Sequence, residues 1–149
     1  MAAGERLLGI DVGERRIGVA VSEGTIAVPL TIIEHKNRAT DIGRVIEIAE
    51  RESVAAIVVG LPVSLSGEEH EQARLTRRFG EQLAEQAAVP VVYHDERYST
   101  ADARYAIEST QPAKPDRRAR PSRKRVAHVD DRAAAVILQS YIDARERGA

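Results

Sequence analysis

Hydrophobic residues in the first part of the chain form three short runs that predict β-strands. The runs cover Arg6–Val12, Ile17–Val21 and Ile26–Ile33, and they are rich in β-branched residues or alternate as half-buried strands do. A tight turn at Gly13 joins the first two runs. Pro29 in the third run would have to lie at a sheet edge or at a bulge, because proline cannot donate a hydrogen bond to a ladder. We therefore expect three consecutive antiparallel strands.

The rest of the chain alternates between helical spacing and continuous apolar runs. The predicted elements are a helix over Thr40–Arg51, a strand over Val54–Leu61, a helix over Glu68–Ala88, a strand over Val89–Tyr93, a helix over Ala101–Ile107 and a helix over Val129–Arg145. Thr40 or Asp41 is expected to cap the first of these helices. Strands separated by helices pair in parallel, so the sequence predicts an α/β fold with a mixed sheet.

Composition narrows the class of protein. The chain has 149 residues, which predicts a single domain over 1–149, and it has no cysteine. Disulfides, thiolate nucleophiles and cysteine-ligated metals are thereby excluded, so any metal would be held by oxygen or imidazole. Aromatic residues are too few to predict a stacking platform for single-stranded nucleic acid. The sequence has neither a signal peptide pattern nor an apolar run long enough for a membrane span, which predicts a cytoplasmic protein with no membrane partner.

Charge is unevenly distributed along the chain. Lys114–Arg125 contains seven Lys or Arg and one Asp, a local charge of +6, whereas the remaining residues sum to 15 − 22 = −7. Three prolines surround this segment, so we expect a mobile basic loop at about 110–127 that becomes ordered on an anionic partner. Such a loop would supply the phosphate attraction of nucleic-acid binding. The alternative is an ordinary solvated surface loop.

Acidic residues occur where the predicted strands and the last helix meet the edge of the sheet. Asp11 interrupts an apolar strand, where an unpaired carboxylate costs several kcal/mol to bury. It could instead cap the turn that follows it or pair with Arg15 or Arg16. Glu96, beside Asp95, follows the last predicted strand. The alternative is that it forms an ordinary surface ion pair, which contributes little to stability.

Asp130 and Asp131 open the last helix, where an acidic residue is also ordinary complementarity to the helix dipole. Taken together, three or four carboxylates from Asp11, from Asp95 and Glu96, and from Asp130 and Asp131 would converge at one edge of the sheet and form a site for Mg²⁺ or Mn²⁺. Two such cations can activate water and stabilise the leaving oxygen of a phosphodiester. Carboxylates at the sheet edge and a basic loop therefore indicate a nuclease.

Four segments of the chain carry a resemblance to a known family. They are GIDVGERRIGVAVS over Gly9–Ser22, IVVGLPVSLSG over Ile57–Gly67, HDERYSTADA over His94–Ala103 and HVDDRAAAVILQSYID over His128–Asp143. In order and spacing they resemble the motifs of the bacterial YqgF family of RNase H-like nucleases. Members of that family are described as pre-16S rRNA processing nucleases and also as Holliday junction resolvases. The resemblance covers nearly the whole chain and implies an RNase H-like three-layer fold with a mixed five-stranded sheet.

The resemblance also implies roles for individual residues. It makes Asp11, Glu96 and Asp130 the catalytic metal ligands, with Asp95 in a supporting or turn-forming position. The residues expected to contact phosphates are Arg16, Arg97, Arg123, Lys124 and Arg125. Gly13 and Gly18 are expected to keep the first hairpin low so that a substrate backbone can approach Asp11, and Gly60 and Pro62 to shape the end of a strand.

The chain departs from the family pattern at two positions. Tyr98 replaces an expected Leu, and His128 is either a proton shuttle or an exposed residue at the start of a helix.

The leading functional hypothesis is metal-dependent hydrolysis of structured RNA, in the 5′-end maturation of pre-16S rRNA. Resolution of branched DNA is an alternative with the same chemistry. A resolvase cuts two strands symmetrically and is expected to be a two-fold dimer, whereas a processing nuclease can act as a monomer, so the chain is expected to be a monomer or a homodimer. An alternative of another class is a nucleic-acid-binding module that does not cleave.

Overall fold

The computed structural model describes residues 5–63, 66, 69–96 and 128–147, with the side chains of the last segment described from residue 132. The predicted helix over Ala101–Ile107 and the basic loop at about 110–127 lie outside these residues. Within them, no helix is both long enough and apolar enough to cross a membrane.

In the described part of the chain, five strands and three helices follow each other in the predicted order. They are β1 (Leu7–Val12), β2 (Arg16–Glu23), β3 (Ile26–Glu34), α1 (Arg38–Arg51), β4 (Ala56–Leu61), α2 (Glu71–Gln86), β5 (Val91–Asp95) and α3 (His128–Glu146). The sheet order is β3-β2-β1-β4-β5. β1, β2 and β3 pair antiparallel, whereas β4 pairs parallel with both β1 and β5. The mixed five-stranded sheet is therefore confirmed.

The position of Pro29 agrees with both alternatives for a proline in a strand. β3 is an edge strand of the sheet, and its pairing with β2 changes register between Val19 and Ala20, next to the pair formed by Ala20 and Pro29. The missing N–H of proline therefore falls where the ladder is already interrupted.

Helices cover both faces of the sheet and enclose two cores. The face covered by α1 and α2 contains the larger side chains, among them Leu8, Ile10 and Phe79. α3 packs on the other face against small residues, and a Cβ at Gly9 would lie only 2.8 Å from Cβ of Leu138. Small residues in the central strands thus allow α3 to lie close to the sheet.

The start of α1 differs from the prediction. Asn37 is the N-cap residue, and its side chain accepts a hydrogen bond from the Thr40 backbone N–H at 2.9 Å. Asp41 is buried and binds His35 instead, at 2.5 Å. The expectation that Thr40 or Asp41 caps the helix was wrong because the helix begins two residues earlier, at Arg38.

Candidate active site

Asp11 lies near the carboxyl end of β1, in the middle of the sheet. It pairs with Gly18 of β2, and the preceding residue, Ile10, pairs with Val59 of β4. Side chains alternate along a strand, so Asp11 shares the α3 face with Gly9. The turn that follows is closed by the backbone, through a 2.9 Å hydrogen bond from Gly13 N–H to the Arg16 carbonyl.

The Asp11 carboxylate is partly buried, and this burial raises its pKa above the ordinary value. Within residues 5–63, 66 and 69–96 and the side chains from 132, it forms no hydrogen bond or ion pair. Turn capping and pairing with Arg15 or Arg16 therefore do not compensate its burial in this part of the chain. A partly buried carboxylate without such compensation is a candidate for a cation ligand.

Glu96 immediately follows β5 and lies on the same side of the sheet. Gly60 of β4 pairs with His94, and a Cβ on Gly60 would lie 3.1 Å from Oε1 of Glu96. Glu96 is only partly exposed. Burial, followed by the negative charges of Asp11 and Asp95, raises the pKa of Glu96 from 4.5 to about 7.

These two carboxylates form a corner of like charge at the carboxyl ends of β1, β4 and β5. Ligands of open α/β sheets bind beyond the carboxyl ends of parallel strands. Partly desolvated carboxylate oxygens that repel each other are stabilised by a hard divalent cation, for which oxygen is the preferred ligand. In the described part of the chain, no group of three or more potential metal-binding side chains is present, so a complete site requires a further ligand.

Position 130 lies in the first turn of α3, although the Asp130 side chain is outside the described residues. The helical repeat puts this position on the same side as Ala134 and Ile137, which contact Gly9 and Gly60. Further along α3, Gln139 bonds to Thr25 and Ala27 at the turn between β2 and β3, which is at the opposite end of β1. α3 therefore runs with its N-terminus toward the corner that contains Asp11 and Glu96.

His94 and Ser140 fasten α3 to β5 beside this corner. Nε2 of His94 lies 2.8 Å from Oγ of Ser140, and both side chains are buried. The His94 ring also meets Tyr141 edge-on, with ring centroids 5.8 Å apart. Burial lowers the pKa of His94, and the nearby Asp95 opposes this change. This contact has no local signal in the sequence, since the two residues are 46 positions apart.

Gly60 also has a larger role than the expected shaping of a strand exit. A Cβ at this position would overlap Cδ1 of Ile137 and would lie 3.1 Å from the Glu96 carboxylate. The absence of a side chain at Gly60 thus makes room both for Ile137 of α3 and for the carboxylate of Glu96, the candidate metal ligand. A glycine inside the apolar run of β4 was the available signal, because glycine in a strand often marks a close approach.

Of the residues expected to contact phosphates, one lies in the described part of the chain and four lie outside it. Arg16 is exposed at the start of β2, beyond the Gly13 turn. The remaining four, Arg97, Arg123, Lys124 and Arg125, lie outside the described residues, as do the side chain of His128 and Tyr98. Asp95 ends β5, and its negative charge contributes to the raised pKa of Glu96 after burial and the charge of Asp11.

The sequence and fold are similar to those of known proteins. A family model described as "RuvX: Holliday junction resolvase" matches residues 5–144. A protein of Caldanaerobacter subterraneus named "Putative pre-16S rRNA nuclease" is 40% identical over 95% of this chain and 98% of its own. A protein of Anaplasma marginale with the same name is 40% identical over 99% of this chain and 91% of its own.

Solved structures of resolvases have the same fold. RuvC of Thermus thermophilus, determined in complex with Holliday junction substrate, gives a TM-score of 0.61 over 97% of this chain and 98% of that chain, at 19% identity. The yeast mitochondrial Holliday junction resolvase Ydc2 gives a TM-score of 0.56 over 95% of this chain and 79% of that chain, at 13% identity. These likenesses agree with the RNase H-like architecture expected from the sequence.

Proposed function

The chain belongs to the RuvX/YqgF family, and on this basis we propose that it is a divalent-metal-dependent nuclease that matures the 5′ end of pre-16S rRNA. Nuclease activity follows from membership of the family, and we propose which residues form the active site. The observation that carries the assignment of the site is the pair of partly buried carboxylates, Asp11 and Glu96, at the carboxyl edge of the sheet.

The chemistry of these residues fits a bound Mg²⁺ or Mn²⁺. We propose that Asp11, Glu96 and Asp130 hold the cation, which when bound activates water and stabilises the leaving oxygen of a phosphodiester. An ionised carboxylate in this partly desolvated corner attracts a cation more strongly than it would in water. Asp130 completes the set from the first turn of α3.

The protein also needs positively charged side chains to hold a polyanionic substrate at this corner. Arg16 is exposed beside the turn that follows Asp11. Arg97 and the basic residues Arg123–Arg125 are proposed to neutralise further phosphates, so that the negative corner does not repel the strand. Residues 1–149 would act together as one RNase H-like nuclease domain.

Branched DNA is a second candidate substrate. It is supported by the family description and by the fold shared with RuvC, which was determined with a Holliday junction substrate. A protein that resolves junctions is expected to form a two-fold dimer on its substrate, whereas a processing nuclease can remain a monomer. Light scattering of the protein with each substrate distinguishes these two forms.

The test compares cleavage of end-labelled structured RNA and of a four-way DNA junction in Mg²⁺, Mn²⁺ or EDTA. We expect metal-dependent cleavage, and we expect Asp11→Asn to cleave about 100-fold more slowly or not at all. Mutation of residues that only orient a metal ligand already costs about 10–100-fold in metal affinity or activity. Nucleic-acid affinity should be kept or increased, because the substitution removes a charge that repels phosphate. Glu85→Gln, an exposed carboxylate on α2, is the matched control.

Two results would contradict the proposal. If folded Asp11→Asn cleaves at the rate of the unaltered protein, the site is wrongly assigned. If the unaltered protein binds nucleic acid but does not cleave it with either metal, the chain is a binding module rather than an enzyme. Urea denaturation of each variant identifies a loss of activity that is caused only by unfolding.

A further inference from the structure

A cleft of about 210 Å³ opens on the face of the sheet opposite to Asp11 and Glu96. Val12 at the end of β1, together with Leu75 and Phe79 of α2, provides apolar walls. The polar residues that line the cleft are His35, Arg38, Asp41, Gln72 and Glu14. The cleft thus combines an apolar interior with a small number of polar groups, as sites for small aromatic ligands do.

A buried carboxylate fixes the orientation of the histidine in this cleft. Asp41 is only 1% exposed, and it accepts hydrogen bonds from Nδ1 of His35 at 2.5 Å and from the Lys36 backbone N–H at 3.1 Å. A carboxylate only accepts, so the proton of this pair is on Nδ1. Nε2 is then the ring nitrogen available to a ligand, on a side chain that is 48% exposed.

The walls of the cleft are tied to the strand that carries Asp11. Nε2 of Gln72 donates to the carbonyl of Val12 at 2.8 Å, and His35 N–H donates to the carbonyl of Arg15 at 2.9 Å. Val12 directly follows Asp11, and adjacent side chains of a strand point to opposite faces. The cleft and the candidate active site are therefore on opposite faces of the same strand end.

The charges around the cleft favour a nucleobase over a phosphate. Exposed Arg15, Lys36 and Arg38 attract a polyanion to this edge. Glu14, which also lines the cleft, would however repel a phosphate and can accept a hydrogen bond from a base amino group. Arg38 is a complementary donor, Nε2 of His35 can accept a hydrogen bond from a base N–H, and a guanidinium plane is a surface on which bases stack.

The size of the cleft leads to the same conclusion. At about 210 Å³ it is smaller than the roughly 300–1,000 Å³ of sites for drug-sized ligands, so it has room for one ring system and not for a dinucleotide. We propose that this cleft binds one unpaired nucleobase of the nucleic-acid substrate, from a nucleotide next to the one that lies at Asp11. This inference rests on the proposed function and adds a base-binding subsite to it.

The experiment measures the affinity of the protein, in EDTA, for a structured RNA and for a four-way DNA junction that contain a single abasic position. The abasic position is moved along the strand, and each probe is tested with the unaltered protein, Arg38→Ala and His35→Ala. Arg44→Ala is the matched control, because Arg44 carries the same charge on the same helix and does not line the cleft.

We expect one position at which removal of the base weakens binding to the unaltered protein about tenfold, in the range of a single base stack. At that position the abasic effect should disappear in Arg38→Ala and shrink in His35→Ala, while Arg44→Ala keeps it. A merely structural role for the pair of His35 and Asp41 would lower stability without removing this dependence on one base.

Two outcomes overturn the inference. If the unaltered protein binds both probes but no abasic position depends on Arg38 or His35, the cleft does not bind a base, and the proposed nuclease function is unaffected. If the unaltered protein binds neither probe, both the cleft and the proposed function are wrong.

Discussion

Burial of Glu96, together with the negative charges of Asp11 and Asp95, makes the stability of the metal-free protein depend on pH. The pKa of Glu96 in the folded protein is about 7, compared with its ordinary 4.5. The folded state therefore binds a proton at Glu96 more tightly than the unfolded state does. This contribution to stability is fully present below pH 4.5 and is lost as the pH rises through 7. The raised pKa of Asp11 acts in the same direction.

The size of this effect follows from the change in pKa. One pKa unit is equivalent to about 1.4 kcal/mol, which bounds the contribution of Glu96 at about 3 kcal/mol. Glu96 is partly exposed, so solvent screening reduces the expected value to about 1–2 kcal/mol. In Glu96→Gln the position cannot titrate. The stability of this variant relative to the unaltered protein should therefore increase by about 1–2 kcal/mol between pH 4.5 and 7.5.

The assay is urea denaturation in EDTA at several pH values from 4.5 to 7.5, with Glu85→Gln as the control for loss of an exposed carboxylate. Adding Mg²⁺ or Mn²⁺ at pH 7.5 should stabilise the unaltered protein more than Glu96→Gln, because a ligand stabilises the state that binds it. Parallel stability curves for Glu96→Gln and the unaltered protein across this range would refute the electrostatic account of the corner.

Three further perturbations test the surroundings of the site. Gly60→Ala should lower the free energy of unfolding by about 1–3 kcal/mol, because its new methyl group overpacks the core. Adding Ile137→Val deletes Cδ1, so the double variant should be less destabilised than the sum of the two single variants. If the free energies of unfolding are additive within about 0.5 kcal/mol, the contact is contradicted. His94→Phe removes one hydrogen bond to the buried Ser140 hydroxyl and should cost about 0.5–1.5 kcal/mol in urea denaturation, whereas no change would show that the bond contributes little. Neutralising Arg123–Arg125 should flatten the salt dependence of nucleic-acid affinity, and an unchanged slope would assign those residues to ordinary surface.

The fold could be predicted from the sequence because burial sets a clear pattern in its strands. β4 is buried along its whole length, and its sequence is a continuous apolar run. The carboxyl ends of parallel strands meet at one edge, which is why the carboxylates at the ends of β1 and β5 were candidates, and the resemblance to the YqgF motifs then favoured Glu96 over Asp95. The predicted ends of the elements differed from the observed ones by one to three residues at most positions, since apolar patterns do not define where pairing stops.

The details that depend on contacts between distant residues could not be predicted. Asn37, Thr40 and Asp41 are all suitable N-cap residues, and the choice between them is decided by the contact of Asp41 with His35. The bond between His94 and Ser140 joins residues from β5 and α3, which no local pattern relates. Such contacts are properties of the packed structure, not of a sequence window.

The arrangement of the sheet edge links the stability of the protein to its proposed activity. Burial raises the pKa of Asp11, and burial together with the charges of Asp11 and Asp95 raises the pKa of Glu96, so ionisation of this corner at neutral pH lowers the stability of the metal-free protein. A bound cation removes the repulsion, so the free energy lost in the metal-free state becomes part of the affinity for metal. The same coupling requires α3 to stay in place, because position 130 is in its first turn and the contacts with Gly60 and His94 hold the helix against the strands. Packing of α3 and cation binding should therefore respond together to any change at this edge.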